Sequence, residues 1–485
     1  MTRAALLYIA VALAGSSGTA QSRSPAAAQT GVDSARAHYL RGVDYERARN
    51  LDAAAAEYRA AVVRAPNLAE AHDRLGFVLG LQGHTDEAIA EFERAVALRP
   101  ASFDAQYHLG ATLWWTKRLD PARTALERAV KLRPAHAEAR YYLAVTKRQQ
   151  GVLAGAITEL RAALRNDPKL AVAHTQLGVA LQESGDLDGA IAEFRRALAL
   201  NPSLTDAGNS LGLALMQKGD AEEAAQTLRA IVAASPDFAA ARLNLGIALM
   251  QGGDLEAAVA ELRELARRDP TNAEAFYDLG LALKQRDDFD GAADALRTAM
   301  RLDPTLPEAP FTLGVVFWQT GRADEAVPLF KEAIARRTDY AEAHYMLATI
   351  FKQRNEIDAA LDEVRQTIRI NPASAEAHTT FGQLLQAAHD AAGAEAAFAE
   401  ASRLSRTKAD AQAAVFAVNA GLERLRRQDT AGAIQKFREA VGLAPDNAQA
   451  HYQLALALRR AGRHGEARAE FAAARRLAPY LKEPK

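Results

Sequence analysis

The sequence predicts an all-α protein built from stacked helical hairpins, and three observations carry that reading. Prolines recur 34 residues apart at Pro66, Pro100, Pro134, Pro168, Pro202, Pro236, Pro270 and Pro304, and the register returns at Pro372 and from Pro445 to Pro479. A fixed period of this size marks stacked supersecondary units. The apolar 49% of the 485 residues is dominated by Ala and Leu, with almost no β-branched runs, which is a composition of helix formers. Aromatic residues make up only 6%, so the interior has to be filled by close approach of small side chains.

Composition also excludes several functions. The 59 basic and 60 acidic side chains nearly cancel and no basic tract occurs, which argues against nucleic acid as a partner. The absence of Cys removes thiolate nucleophiles, thiolate metal ligands and disulfides together. No HExxH, GxSxG, GxxxxGK[ST] or GxGxxG signature stands in a suitable context, and the repeats leave no stretch for a catalytic domain. The expectation is a protein that is not an enzyme and holds no cofactor or metal.

At the N-terminus, residues 1–20 read as a secretory signal. Arg3 supplies the positive charge, Ala4–Ala14 is an apolar run of eleven residues, and Gly18, Thr19 and Ala20 supply a small-residue cleavage site before Gln21. Eleven apolar residues fall short of the roughly twenty needed to span a bilayer, although an uncleaved anchor is the competing reading. The expected location is therefore periplasmic or extracellular. Residues 21–34, rich in Ser, Ala, Pro and Gln, read as a flexible linker.

The unit from Ala69 to Ser102 shows how each repeat works. Leu75 and Leu79 lie four apart on one helix, and Phe92 lies four after Ala88 on the next, so each helix offers its partner an apolar stripe. Gly76, Ala88 and Ala95 let the two axes approach closely. Gly83, His84 and Thr85 form the turn, and Pro100 ends the second helix. The pattern recurs at Leu177, Gly178, Ala190, Phe194, Ala197 and Pro202.

This arrangement of small and large residues at a 34-residue period resembles the tetratricopeptide repeat family. The resemblance implies a right-handed superhelical solenoid of about thirteen repeats. They divide as repeats one to eleven over residues 35–408, a five-residue insertion at 409–413, repeats twelve and thirteen over 414–481, and a tail at 482–485. Thr338 and Arg406 stand where proline is expected, and a missing proline at Thr338 predicts that the second helix of repeat nine runs on. The insertion predicts either a lengthened helix in an unbroken stack or a semi-independent pair of repeats. His38, His72, His174, His344, His378 and His451 occupy one repeat position where the family often has Trp. They are a helix diameter apart and read as core histidines, not as a metal site.

The resemblance also implies that first helices line a concave groove and bind protein or peptide segments. At the fifth position of each repeat stand Tyr107, Tyr141, Tyr277, Phe311 and Tyr345, accompanied by Trp114, Trp115 and Trp318. Two aromatic patches are thereby expected to anchor a ligand, unless the rings only stiffen the stack. Gln217, Gln251, Gln285, Gln319 and Gln353 form a ladder at the thirteenth position, suited to a peptide main chain or simply to a helix surface. Acidic residues such as Glu70, Asp104 and Glu308 sit in the first helical turn, where they complement the helix dipole. From Ala414 to Lys485, thirteen Lys or Arg face seven Asp or Glu. That excess reads as a solvated end cap or as a surface for an acidic partner or the membrane. The functional expectation is an exported scaffold or assembly factor, with a polysaccharide-binding accessory protein or a structural spacer as alternatives.

Overall fold

The computed structural model describes residues 26–478 and Leu481; the segment read as a secretory signal, 1–20, and the tail at 482–485 lie outside the described residues. The described residues form 25 α-helices and no strand. Consecutive helices pair as antiparallel hairpins, and the chain divides into two compact units, Met1–Arg267 and Arg268–Lys485.

Unit one carries hairpins one to seven. Their first helices are Ala26–Arg47, Ala69–Gln82, Phe103–Trp115, Ala137–Gln149, Ala171–Glu183, Thr205–Lys218 and Ala239–Gln251. Their second helices are Leu51–Arg64, Thr85–Leu98, Leu119–Leu132, Leu153–Asn166, Leu187–Leu200, Ala221–Ala234 and Leu255–Arg268. Helix Ala26–Arg47 takes in the later part of the segment read as linker, where Ala26, Ala27 and Ala28 favour helix. Inside each hairpin the packing is as the small residues require. A Cβ placed on Gly178 would lie 2.6 Å from the Phe194 ring, and one on Gly246 would lie 2.6 Å from Leu262. Both facing side chains are fully buried.

Unit two carries hairpins eight to thirteen. Hairpins eight to ten pair Ala273–Gln285 with Phe289–Leu302, Glu308–Gln319 with Ala323–Arg336, and Ala341–Gln353 with Ile357–Ile370. Ala375–Ala387 then packs on the start of the 36-residue helix Ala391–Arg426, whose end packs on Thr430–Leu443; Ala448–Arg460 and His464–Leu477 complete the unit.

The two sites without proline behave differently. The second helix of hairpin nine does not run on past Thr338: it stops at Arg336. Tyr340, at the N-cap of the next helix, is buried and packs with its ring tilted 34° at 4.8 Å from Phe311, with the Arg337 guanidinium 3.6 Å from its ring centroid. This apolar anchor breaks the helix in place of proline. At Arg406 the equivalent N-cap site holds Lys408, which is exposed and offers neither an acceptor nor an apolar anchor, and there the helix continues through the insertion. The helix is lengthened and the stack is interrupted as well. Residues 405–409 and 411–413 are exposed, and hairpins twelve and thirteen have a core of their own around Phe437, Leu454 and Phe471.

Every hairpin turn contains one residue with positive φ. Glycine fills it in seven turns, from Gly83 to Gly462, while Arg49, Lys117, Asp287, Asn355, His389 and Gln428 hold it elsewhere.

Candidate protein-binding surface on the first helices

Successive first helices touch one another from Ala69–Gln82 through Ala239–Gln251 in unit one, and Ala273–Gln285 touches Glu308–Gln319 in unit two. The second helices make no contact of similar extent among the described residues. The first helices therefore form the inner, concave row of each unit, and a ligand lying along that row meets their second, fifth, ninth, twelfth and thirteenth positions.

In unit one the aromatic residues separate into stack and surface. Tyr107 is buried, which removes it from the expected surface. It stacks 5.7 Å from Phe103, touches Tyr142, and donates a hydrogen bond to Glu138 at 3.3 Å. Burial pushes the Tyr107 hydroxyl pKa well up and also raises that of the Glu138 carboxyl. Trp114 is half-buried edge-on against Tyr142 at 5.3 Å, and its indole N–H meets no acceptor in the described structure. Trp115 is 38% exposed and Tyr141 is half-buried. Beyond them the ninth position supplies half-buried Val179, Leu213 and Ile247, and the twelfth supplies Met216 and Met250. Gln217 and Gln251 are exposed beside this strip, and Gln217 accepts a hydrogen bond from Gln182 at 2.9 Å.

In unit two Tyr277, Phe311, Trp318 and Tyr345 are half-buried, and Gln285, Gln319 and Gln353 are exposed. Three of the rings are committed to their neighbours. Phe311 packs on Phe330 and Tyr340, Tyr345 shares a hydrogen bond with Thr380 at 3.2 Å, and Tyr277 bonds Thr312. Burial pushes Asp278, next to Tyr277, up to about 7, with Glu274 one turn away acting in the same direction.

Tyr345 and Thr380 belong to a wider pattern, since fifth-position side chains bond the sixth position of the next hairpin, 35 residues on. Asp73 meets His108 at 2.9 Å, and Asn244 donates to Asn209 at 2.8 Å. A second pattern lies inside hairpins. Five of the six fourth-position histidines bond a glutamate 19 residues later: His38–Glu57, His72–Glu91, His174–Glu193 and His344–Glu363 at 2.6 Å, and His451–Glu470 at 2.5 Å; His378 has Ala397 at that place and bonds the Pro372 carbonyl at 3.1 Å. His72, His174 and His451 also bond the carbonyl of the proline six residues earlier. Arg140–Glu159 and Arg242–Glu261 fill the same site. These five histidines brace the two helices of a hairpin through their hydrogen bonds to glutamate, and no group of three or more metal-ligating side chains occurs among the described residues. The acidic second positions are also braced: Glu70, Asp104 and Glu308 pair with Arg99, Arg133 and Arg337 at the end of their own hairpins.

Fold and surface together define a helical-repeat scaffold whose first helices form an inner row. Tetratricopeptide repeat models match residues 81–147, 215–283 and 317–384, residues 175–239 and 418–481, and residues 273–306. The chain belongs to the tetratricopeptide repeat family. The matches stop at 384, before the helix Ala391–Arg426, and resume at 418, within its last nine residues. No curated protein matches the chain. Among solved structures, MamA from Desulfovibrio magneticus RS-1 is 26% identical over 36% of this chain and 97% of its own, with a TM-score of 0.34. YrrB, described as a TPR protein with an unusual peptide-binding site, is 20% identical over 38% and 95%, with a TM-score of 0.33. The Cut9–Hcn1 hetero-tetramer is 15% identical over 92% and 94%, with a TM-score of 0.37.

Proposed function

We propose that the chain is a non-catalytic, exported scaffold that holds a protein or peptide segment against the inner row of first helices. One observation carries this reading. Val179, Leu213 and Ile247 form a half-buried apolar strip over three successive hairpins, flanked by Met216 and Met250 and by the exposed amides of Gln217 and Gln251. Apolar residues anchor ligand side chains, methionine adapts to different shapes, and amides can both donate to and accept from a main chain. The exposed Trp115 ring and half-buried Tyr141 extend this strip with rigid contact area. Export is supported by Arg3, the apolar run Ala4–Ala14 and the small residues before Gln21.

The test is to select peptides on the full chain from a random display library and measure their affinity for variants. Leu213→Glu with Ile247→Glu is expected to weaken a selected peptide at least tenfold while leaving the thermal midpoint within a few degrees. Undiminished binding by that folded variant would contradict the reading. N-terminal sequencing of protein expressed with its first twenty residues tests export, and the expected new terminus is Gln21.

A further inference from the structure

A cleft of about 680 Å³ opens on the opposite side of unit one, between the second helices Leu153–Asn166 and Leu187–Leu200. Leu177, from the first helix of hairpin five, lines it together with Leu164, Pro168 and Leu200. Leu177 is buried, whereas Leu200 is 42% exposed. Its charged lining is Arg161, Arg165, Arg196 and Glu193, with His174 behind. Glu193 accepts from both His174 and Arg196 and so neutralises Arg196. Arg161 and Arg165 are exposed and make no ion pair in the described structure, and they lie one helical turn apart on the same face.

The reason Arg161 is free can be read from the other junctions. Arg59, Arg195 and Arg438 each pair with a glutamate 28 residues later, on the next hairpin: Glu87, Glu223 and Glu466. The residue 28 positions after Arg161 is Gly189, whose N–H is capped by Asp186. Like Arg229 and Arg263, whose counterparts 28 residues on are Ala257 and Gly291, Arg161 meets no bridging carboxylate; at this junction an apolar floor lies beneath two guanidinium groups, Arg161 and Arg165, that no ion pair compensates.

We propose that this cleft is a second docking site, distinct from the inner row, that takes an acidic amphipathic helix. The apolar residues of that helix would rest on Leu164, Leu177 and Leu200, and its carboxylates would engage Arg161 and Arg165. Charge complementarity selects this occupant: guanidinium forks hold carboxylates in bidentate pairs, and an amphipathic helix presents apolar and acidic residues together. The site stands whether or not the inner row binds peptide.

The probe is a fluorescein-labelled amphipathic peptide about four turns long, with leucine on one face and glutamate beside it, titrated against the full chain by anisotropy. A matched peptide with lysine in place of glutamate is the control. The glutamate peptide is expected to bind at least tenfold more tightly than the lysine peptide. Arg161→Glu with Arg165→Glu is expected to lose that preference, since both side chains are exposed and neither braces the fold, while Leu213→Glu with Ile247→Glu is expected to retain it. Equal binding of the two peptides, undiminished binding by the arginine variant, or loss of binding in the inner-row variant would each overturn the proposal. Displacement of the peptide by dodecanoate with equal saturation would reassign the cleft to a single-chain lipid and overturn the choice of occupant.

Discussion

His72 ties the two helices of its hairpin together, and its chemistry gives the tie a pH dependence. The hydrogen bond that His72 donates to the Glu91 carboxylate holds the imidazole above its usual value, against the opposing effect of burial, and the Pro66 carbonyl adds to the rise. A folded-state value above the unfolded one means that the folded chain binds the extra proton. The contribution is therefore fully present below about pH 6.5 and is lost as pH rises through the folded value. Urea midpoints measured from about pH 5.5 to pH 9 should show this fall, and Glu91→Gln should flatten it; an identical slope in the variant would refute the brace. Lys117 offers a separate test. It adopts φ 63° in a turn where seven other hairpins use glycine. Lys117→Gly should raise stability by up to about 1 kcal/mol, read from the same urea midpoints. The 34-residue spacing made the residue positions legible, down to Gly178 against Phe194. It did not reveal the partners. A 19-residue separation within a hairpin and a 35-residue separation across hairpins become contacts only once the helices are folded against one another, which is why the histidines were read as core residues without their glutamates and Tyr107 was read as surface.

At the level of helices, whether a junction turns depends on two signals, and either one suffices. Hairpin nine lacks the proline but keeps the apolar anchor Tyr340, and the chain turns. Hairpin eleven lacks both, and Ala391–Arg426 runs straight through. The faces on either side of this helix are adapted to the interruption. Glu395 and Ser402 replace the apolar residues that interior hairpins carry, such as Ile191 and Leu198, and Ala420 and Arg424 stand where others have leucine. Those changes read as caps on two successive arrays. Phe416 departs from this pattern: it is 66% exposed at a position held by fully buried alanine in most hairpins, for example Ala139 and Ala241. We have no physical account of its exposure. Arg406→Pro restores the period and should break the long helix locally, at a cost of about 3 kcal/mol confined to it. Brief trypsin treatment should then cut after Lys408 and release the last two hairpins as a stable fragment, whereas the parent chain should resist. Equal resistance would show that these residues do not carry the junction as a helix.

For the whole molecule, the low aromatic content follows from the repeat. An array whose contacts all lie between neighbouring hairpins needs no large central core, so alanine and glycine fill its interior and large side chains can be placed at its surface. Fold and repeat number were legible because they follow from periodicity. The candidate site was legible only in part. The fifth-position aromatics drew attention to rings that mostly brace the stack, while the apolar strip at the ninth and twelfth positions, Val179, Leu213, Ile247, Met216 and Met250, carries no unusual composition that would mark it. The most direct test of the scaffold reading is hydrogen–deuterium exchange on the full chain with and without a library-selected peptide. Protection is expected along the inner row, in Ala171–Glu183, Thr205–Lys218 and Ala239–Gln251, with the second helices unchanged. Protection confined to second helices, or none at saturating peptide, would contradict it.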